Sequence, residues 1–221
     1  KIRWSLLPRL APWLVRFAAS ARPARVAAGA NAMHALQRHL VDAHLDLLED
    51  AGQANLLCKV GKLHMYETAA QRAAAGAARK LQSERGVVFE DLDRDAIQTL
   101  VPQLGEMTFG GTFYPDVCHC LDPLAMVQAY ADLFQRRGGN LLCEEVRGFE
   151  VGPEKAEYIR TDIGLHAVET VVVAVGAWSR ELVRPLGSKV PVESERGYHV
   201  MLPEPGIELP VPVKAEGRGI I

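Results

Sequence analysis

Hydrophobic positions along the chain change their period several times, and each change marks a predicted element. Near the start, Leu10, Trp13, Leu14 and Phe17 recur at helical spacing. From Asn31 the pattern predicts a helix with Met33, Leu36, Leu40 and Leu47 beside Val41, Leu45 and Leu48 on one broad apolar face. Asn31 is its expected N-cap and Gly52 its stop. In LLCKVGKLHMYE, two strand-like runs flank Gly61, with Lys62, His64 and Tyr66 alternating against Leu63 and Met65. Residues 69–85 are alanine-rich and helical up to Gly86, and VVFEDLD reads as a strand. DRDAIQTLVPQL reads as a short helix begun by Asp93 or Asp95 and broken before Pro102, and GGTFYPDVCHC as strand or loop.

The second half is better punctuated. Asp122 followed by Pro123 starts a helix that ends in Arg136, Arg137 and Gly138. A strand, NLLCEEVRGFEV, is predicted next, then a hairpin in YIRTDIGLHAVE with Gly164 in the left-handed position of its turn. VVVAV at 171–175 is a run of five apolar, mostly β-branched residues closed by Gly176, which predicts a strand buried on both faces. Helix, strand, hairpin and buried strand in that order predict an α/β fold with a doubly wound layer and inserted antiparallel strands.

Composition narrows the class. With 221 residues, 48% hydrophobic and 24% charged, the chain can bury a core and is not disordered. Its 25 basic and 27 acidic residues give a net charge of −2, which does not suggest nucleic-acid binding. No apolar run reaches the ~20 residues of a membrane span, and no signal-peptide pattern opens the chain. Four cysteines suit a reducing compartment, so a cytoplasmic location is expected. The chain opens without Met and stops at GRGII, and is read as an internal piece of a longer protein. Charge is uneven: residues 1–25 hold Lys1, Arg3, Arg9, Arg16, Arg22 and Arg25 and no acid. That basic, tryptophan-bearing arm either packs on protein or touches a membrane surface, at its inner face.

Motifs with familiar chemistry are few. There is no GxGxxG, no GxxxxGK[ST], no HExxH and no CxxC, and the only G-x-G is at 217–219. His34, His39 and His44 lie five residues apart, about 140° round a helix, and cannot converge on a metal. Cys118 and Cys120 of CHC would share one strand face with His119 opposite, and neither Cys58 nor Cys143 completes a zinc spacing. No metal is expected. What remains is VETVVVAVGAWSRELVRPLG, where a strand ending in glycine offers close-approach backbone at the carboxyl end of a sheet.

VVVAVGAWS resembles the A-x-G-x-W-S signature of the FAD-dependent D-amino-acid oxidase superfamily, which includes glycine oxidase, sarcosine oxidase and bacterial D-amino-acid dehydrogenases. GKLHMY, CHCLDPLAMVQAYADLFQRRGGNL and PLGSKVPVESERGYHVML resemble further family segments in the family's order, over residues 31–203. The resemblance implies a mixed α+β architecture: part of an FAD-binding doubly wound layer (31–55 and 120–187), an inserted mixed-sheet substrate domain (56–119 and 188–221), and the arm at 1–30. It implies FAD as cofactor, with Val146, Gly176, Ala177 and Trp178 beside it. It also implies oxidation of an amino acid by hydride transfer to the flavin, closest to a D-amino-acid dehydrogenase, with the substrate oriented by a basic side chain and a tyrosine. Arg196 and Tyr198 are the favoured pair, sharing one face if ERGYHV is a strand, with His199 opposite. His64 and Tyr66 are the other candidates. The family's GxGxxG and its flavin-contacting carboxy-terminal segment are not in these residues. The competing reading is a cofactor-free piece or subunit that binds a partner chain, and a homo-oligomer is compatible with either.

Overall fold

The computed structural model describes residues 7–104, 108–153, 155–192, 194–198, 200 and 202–216. Helix α1 spans Leu7–Ser20, α2 Pro23–Gln37 and α3 Leu40–Ala51. Strands β1 (Leu57–Cys58) and β2 (Lys62–Tyr66) follow, then α4 (Ala69–Ala74), α5 (Gly76–Ser83), β3 (Glu90–Leu92) and α6 (Arg94–Leu100). After β4 (Gly110–Tyr114) and β5 (His119–Cys120) comes α7 (Pro123–Arg136). The remainder is β6 (Val146–Val151), β7 (Ala156–Thr161), β8 (Leu165–Ala167), α8 (Ser179–Val183) and β9 (Val213–Ala215). The chain forms two compact units, Lys1–Gly138 with Pro205–Ile221, and Gly139–Glu204.

The first unit is built on a mixed four-stranded sheet in the order β3-β4-β2-β9, in which β9 runs parallel to β2 and the other pairs are antiparallel. Period-two alternation splits its faces. Leu63 of β2 sits opposite Phe113 and beside Val213, and this face closes on α6 through fully buried Leu63, Ile97 and Val101, with Val211. The caps follow the expected chemistry: the Asp93 carboxylate accepts from the Ala96 amide, and the Asp122 carboxylate from that of Ala125 at the head of α7. Helix α3 packs on α7 over Leu48, Ala129 and Leu133, with His44 Nδ1 2.6 Å from the Tyr130 hydroxyl and Arg137 paired to Asp50.

Several expectations are corrected. The helix foreseen from Asn31 is two helices: Asn31 lies inside α2, and the break falls at 38–39. Its halves meet different surroundings. Leu48 of α3 is buried, whereas Met33 and Leu36 of α2 are exposed and no α2 residue is buried. Gly52 does end α3, at φ +73°. In the 162–164 turn Gly164 does not take a positive φ. The side chain of Thr161 closes that turn instead, its hydroxyl accepting from the amides of Ile163 and Gly164.

The third correction concerns 171–175. Among the described residues this run pairs with no strand, and Val172 is 84% exposed, so the two-faced burial its composition predicts does not occur here. None of the three sheets lends it an edge. Likewise the strand expected from residue 140 begins its ladder only at Val146, and the described part of 188–203 forms none. His199 and the G-x-G at 217–219 lie outside the described residues. The architecture is mixed α/β with several small sheets.

Candidate functional site

In the second unit, β6, β7 and β8 form an antiparallel meander whose first strand is irregular. Val146 pairs with Thr161 and Gly148 with Arg160, so Arg147 is an extra residue that re-aims the start of β6. Side chains of the neighbouring turn hold that start in place. The Glu144 carboxylate accepts from the Thr161 hydroxyl at 2.6 Å and lies 2.7 Å from His166 Nε2. The Glu145 amide donates to the Asp162 carboxylate at 2.9 Å, and the Asp162 amide donates back to the Glu145 carbonyl at 3.0 Å. The Thr161 and His166 contacts hold the Glu144 carboxyl below its ordinary pKa.

Beside this clamped strand is a cavity of about 710 Å³. Val146, Phe149 and Val151 line it from β6, Arg160 from β7, and Val175 and Trp178 from the segment that leads into α8. Gly176 turns the chain there. Its φ of +56° is a left-handed conformation that a β-carbon strains, and the position a β-carbon would take is open space. Ala177 and Trp178 also line a second hollow, of about 620 Å³, with Val192, Ser194 and Glu195. The Trp178 side chain is 73% exposed and so stands between two hollows rather than in a core.

Of the residues singled out from the sequence, the structure therefore brings Val146 and Trp178 onto one cavity, with Gly176 and Ala177 in the turn beside it. Arg196 and Tyr198 line neither hollow. Both are exposed, Tyr198 to 90%, in a stretch whose described residues form no ladder.

The first unit carries a different cavity, of about 450 Å³, between its sheet and α4–α5. His64 and Tyr66 of β2, Tyr114 of β4, and Lys214 and Glu216 at β9 form its floor, because these alternate residues share the face opposite the Leu63 core. Ala74, Ala75 and Ala78 on the helical side leave the space open. Lys214 Nζ is 2.7 Å from Glu216 Oε1, and His64 Nδ1 lies 3.3 Å from the same oxygen. The Tyr114 hydroxyl donates to Gln82 at 3.0 Å, and the Tyr66 and Thr112 hydroxyls share a hydrogen bond of 3.2 Å. Burial, then repulsion by Lys214 and Lys62, pushes the His64 pKa down against the pull of Glu216, leaving a neutral imidazole near pH 7. Burial raises the Tyr114 pKa. The arrangement can hold a small polar molecule but has no activated nucleophile, and no group of three or more metal-ligating side chains occurs among the described residues. Sequence reasoning named His64 and Tyr66 but missed Tyr114, Lys214 and Glu216. The signal was present: VKAE alternates as KLHMY does, and two such runs in parallel register double the polar face.

Comparison with known proteins identifies relatives of the chain. Residues 10–221 match the family model described as FAD dependent oxidoreductase. Over 205 residues the chain is 31% identical to a D-amino-acid oxidase of Bradyrhizobium diazoefficiens, covering 92% of this chain and 48% of that protein. Over 214 residues it is 27% identical to a D-amino acid dehydrogenase of Vibrio cholerae serotype O1, covering 92% and 49%. The chain thus spans about half the length of the curated relatives it matches. Among solved structures, glycine oxidase from Geobacillus kaustophilus superposes with a TM-score of 0.64 at 20% identity, over 83% of this chain and 50% of that one.

Proposed function

The chain belongs to the FAD dependent oxidoreductase family, and from that premise we propose that it is part of an enzyme oxidising the C–N bond of an amino acid, on the pattern of a D-amino-acid dehydrogenase. The observation that supports this reading most directly is that Val146 and Trp178, named from separate stretches of sequence, line one cavity. At about 710 Å³ it is in the range of ligand sites, roughly 300–1,000 Å³. The residues present fit the adenine half of FAD: the irregular start of β6 offers backbone groups, Gly176 lets the chain turn without a β-carbon, and the indole of Trp178 gives an apolar wall. The pyrophosphate has no glycine turn among these 221 residues.

When bound, FAD supplies the hydride acceptor. The chain's own part is positioning: Arg196 pairs with the substrate carboxylate and Tyr198 donates a hydrogen bond to it, with His64 and Tyr66 as alternatives on β2. On this reading residues 31–55 and 120–187 belong to the FAD-binding domain, and 56–119 and 188–221 to the substrate domain.

The test is anaerobic addition of a D-amino acid to the full-length protein. Bleaching of flavin absorbance is expected, and a colourless, unresponsive protein would refute the proposal. In that protein Arg196→Ala should raise KM for the amino acid by about ten- to a hundredfold, the weight of a charge-assisted hydrogen bond, while FAD content is unchanged. A second reading, a cofactor-free piece that binds a partner chain, is favoured by one observation: among the described residues the run at 171–175 has no ladder partner and leaves Val172 exposed. Absence of FAD binding by the 221-residue chain, together with a dimer or heteromer by light scattering, would support it.

A further inference from the structure

We propose that α1 docks on a lipid surface bearing anionic headgroups. Leu10, Trp13, Leu14 and Phe17 cluster within about 100° of the helix circumference at ~100° per residue, and all four are exposed, Trp13 to 57% and Phe17 to 61%. The two aromatic rings stack at 5.1 Å between centroids, forming one continuous apolar wedge. Arg9 and Arg16 stand one turn to either side of Trp13 along the edge of this stripe, and Arg22 and Arg25 follow at the head of α2. All four arginines are exposed, and none has an ion pair among the described residues. No acidic residue occurs before Asp42.

The sign of the charge identifies the occupant. A helix that packs on a protein core shows its apolar stripe above a solvated face of mixed charge. Here the only charged groups on α1 are cations, Arg9 and Arg16, both on the Trp13 edge of the stripe, while alanine and valine fill the other edge; that suits a surface that buries aromatic rings and carries negative charge at the depth of the guanidinium groups. Arginine stems can lie along the apolar layer while their heads reach phosphate. No helix among the described residues is long and apolar enough to cross a membrane, so the contact is interfacial. It needs no flavin and does not rest on the reading of the 710 Å³ cavity.

The experiment is co-sedimentation of the 221-residue chain with vesicles of phosphatidylcholine alone or mixed with phosphatidylglycerol. Binding to the mixed vesicles at low salt is expected. It should weaken at least tenfold as the screening length shrinks from about 10 Å at 0.1 M salt to about 3 Å at 1 M. A Trp13→Ala/Phe17→Ala double variant should lose it, as should Arg9→Glu/Arg16→Glu, both with unchanged circular dichroism because these side chains are exposed. Failure to bind mixed vesicles, equal binding to neutral ones, or full binding by either variant would overturn the proposal. If the chain instead self-associates in light scattering through Trp13 and Phe17, without vesicle binding, a second copy covers the stripe and the lipid assignment is wrong.

Discussion

Strand β2 and the run at 171–175 have comparably regular sequences, one alternating and one uniformly apolar, yet they end in opposite environments. The first is paired on both edges, by β4 and β9, and buries Leu63 completely. The second has no ladder partner among the described residues and leaves Val172 84% exposed. Composition commits a segment to being a strand, but only available edges make it one. The sharpest test truncates both. Leu63→Ala should cost about 2–5 kcal/mol, the range for a buried leucine, whereas Val172→Ala should stay within about 0.5 kcal/mol, as exposed positions do. Urea unfolding of the two variants measures the difference. A large loss for Val172→Ala would show that the run is buried in solution after all.

Glycines sharpen the same contrast at smaller amplitude. A β-carbon on Gly111 would come within 2.9 Å of the His64 carbonyl oxygen and of Leu63 Cδ1, and 3.0 Å from Ile97 Cδ1, because β4 crosses the core there without a side chain. Gly111→Ala should therefore destabilise the sheet unit by about 1–3 kcal/mol, an overpacking cost. Gly176 meets nothing, and only its φ of +56° opposes a side chain. Gly176→Ala should cost about 1 kcal/mol. Equal melting temperatures for the two variants would remove the distinction between a crowded glycine and a turning one.

These glycines also mark how far the sequence could be read. Local signals were legible: Asp93 and Asp122 cap the helices they precede, Gly52 ends α3, and the alternation in KLHMY became β2, since each depends on neighbours a few residues away. What depended on distant partners was not. Nothing near Asn31 reveals that α2 buries no residue and is held to the end of α5 by Arg85 hydrogen bonds to Ala27 and Asn31, while α3 packs on α7, and nothing in YIRTDIGLHAVE shows that Thr161 rather than Gly164 shapes the turn. The cavity beside Val146 joins β6 to a segment some thirty residues on, a meeting that no local pattern announces. The polar floor of the sheet cavity needed the parallel register of β9 against β2, which no local pattern encodes.

Acid separates the two units by a gentler route. His64 has a folded pKa below its ordinary value of 6.5, so as pH falls beneath that value the unfolded chain takes up the proton first. Stability attached to His64 is therefore complete above about pH 6.5 and is lost as pH drops toward the folded value. Glu144 is depressed too, but from 4.5, so its contribution survives to about pH 4.5 and disappears only as pH falls through its folded value. The groups facing His64 are Lys214, Lys62 and Glu216, and the Glu216 carboxylate moderates the effect without reversing it. Hydrogen exchange at about pH 7 and 5.5 should therefore show protection falling first at β2 and β9, while the start of β6, held by Glu144, keeps its protection. His64→Gln should flatten the first loss and Glu144→Gln should leave it untouched. Simultaneous loosening of both regions at pH 5.5 would mean that the Glu144 clamp does not hold β6, and that the ordered edge of the 710 Å³ cavity depends on something other than the 161–166 turn.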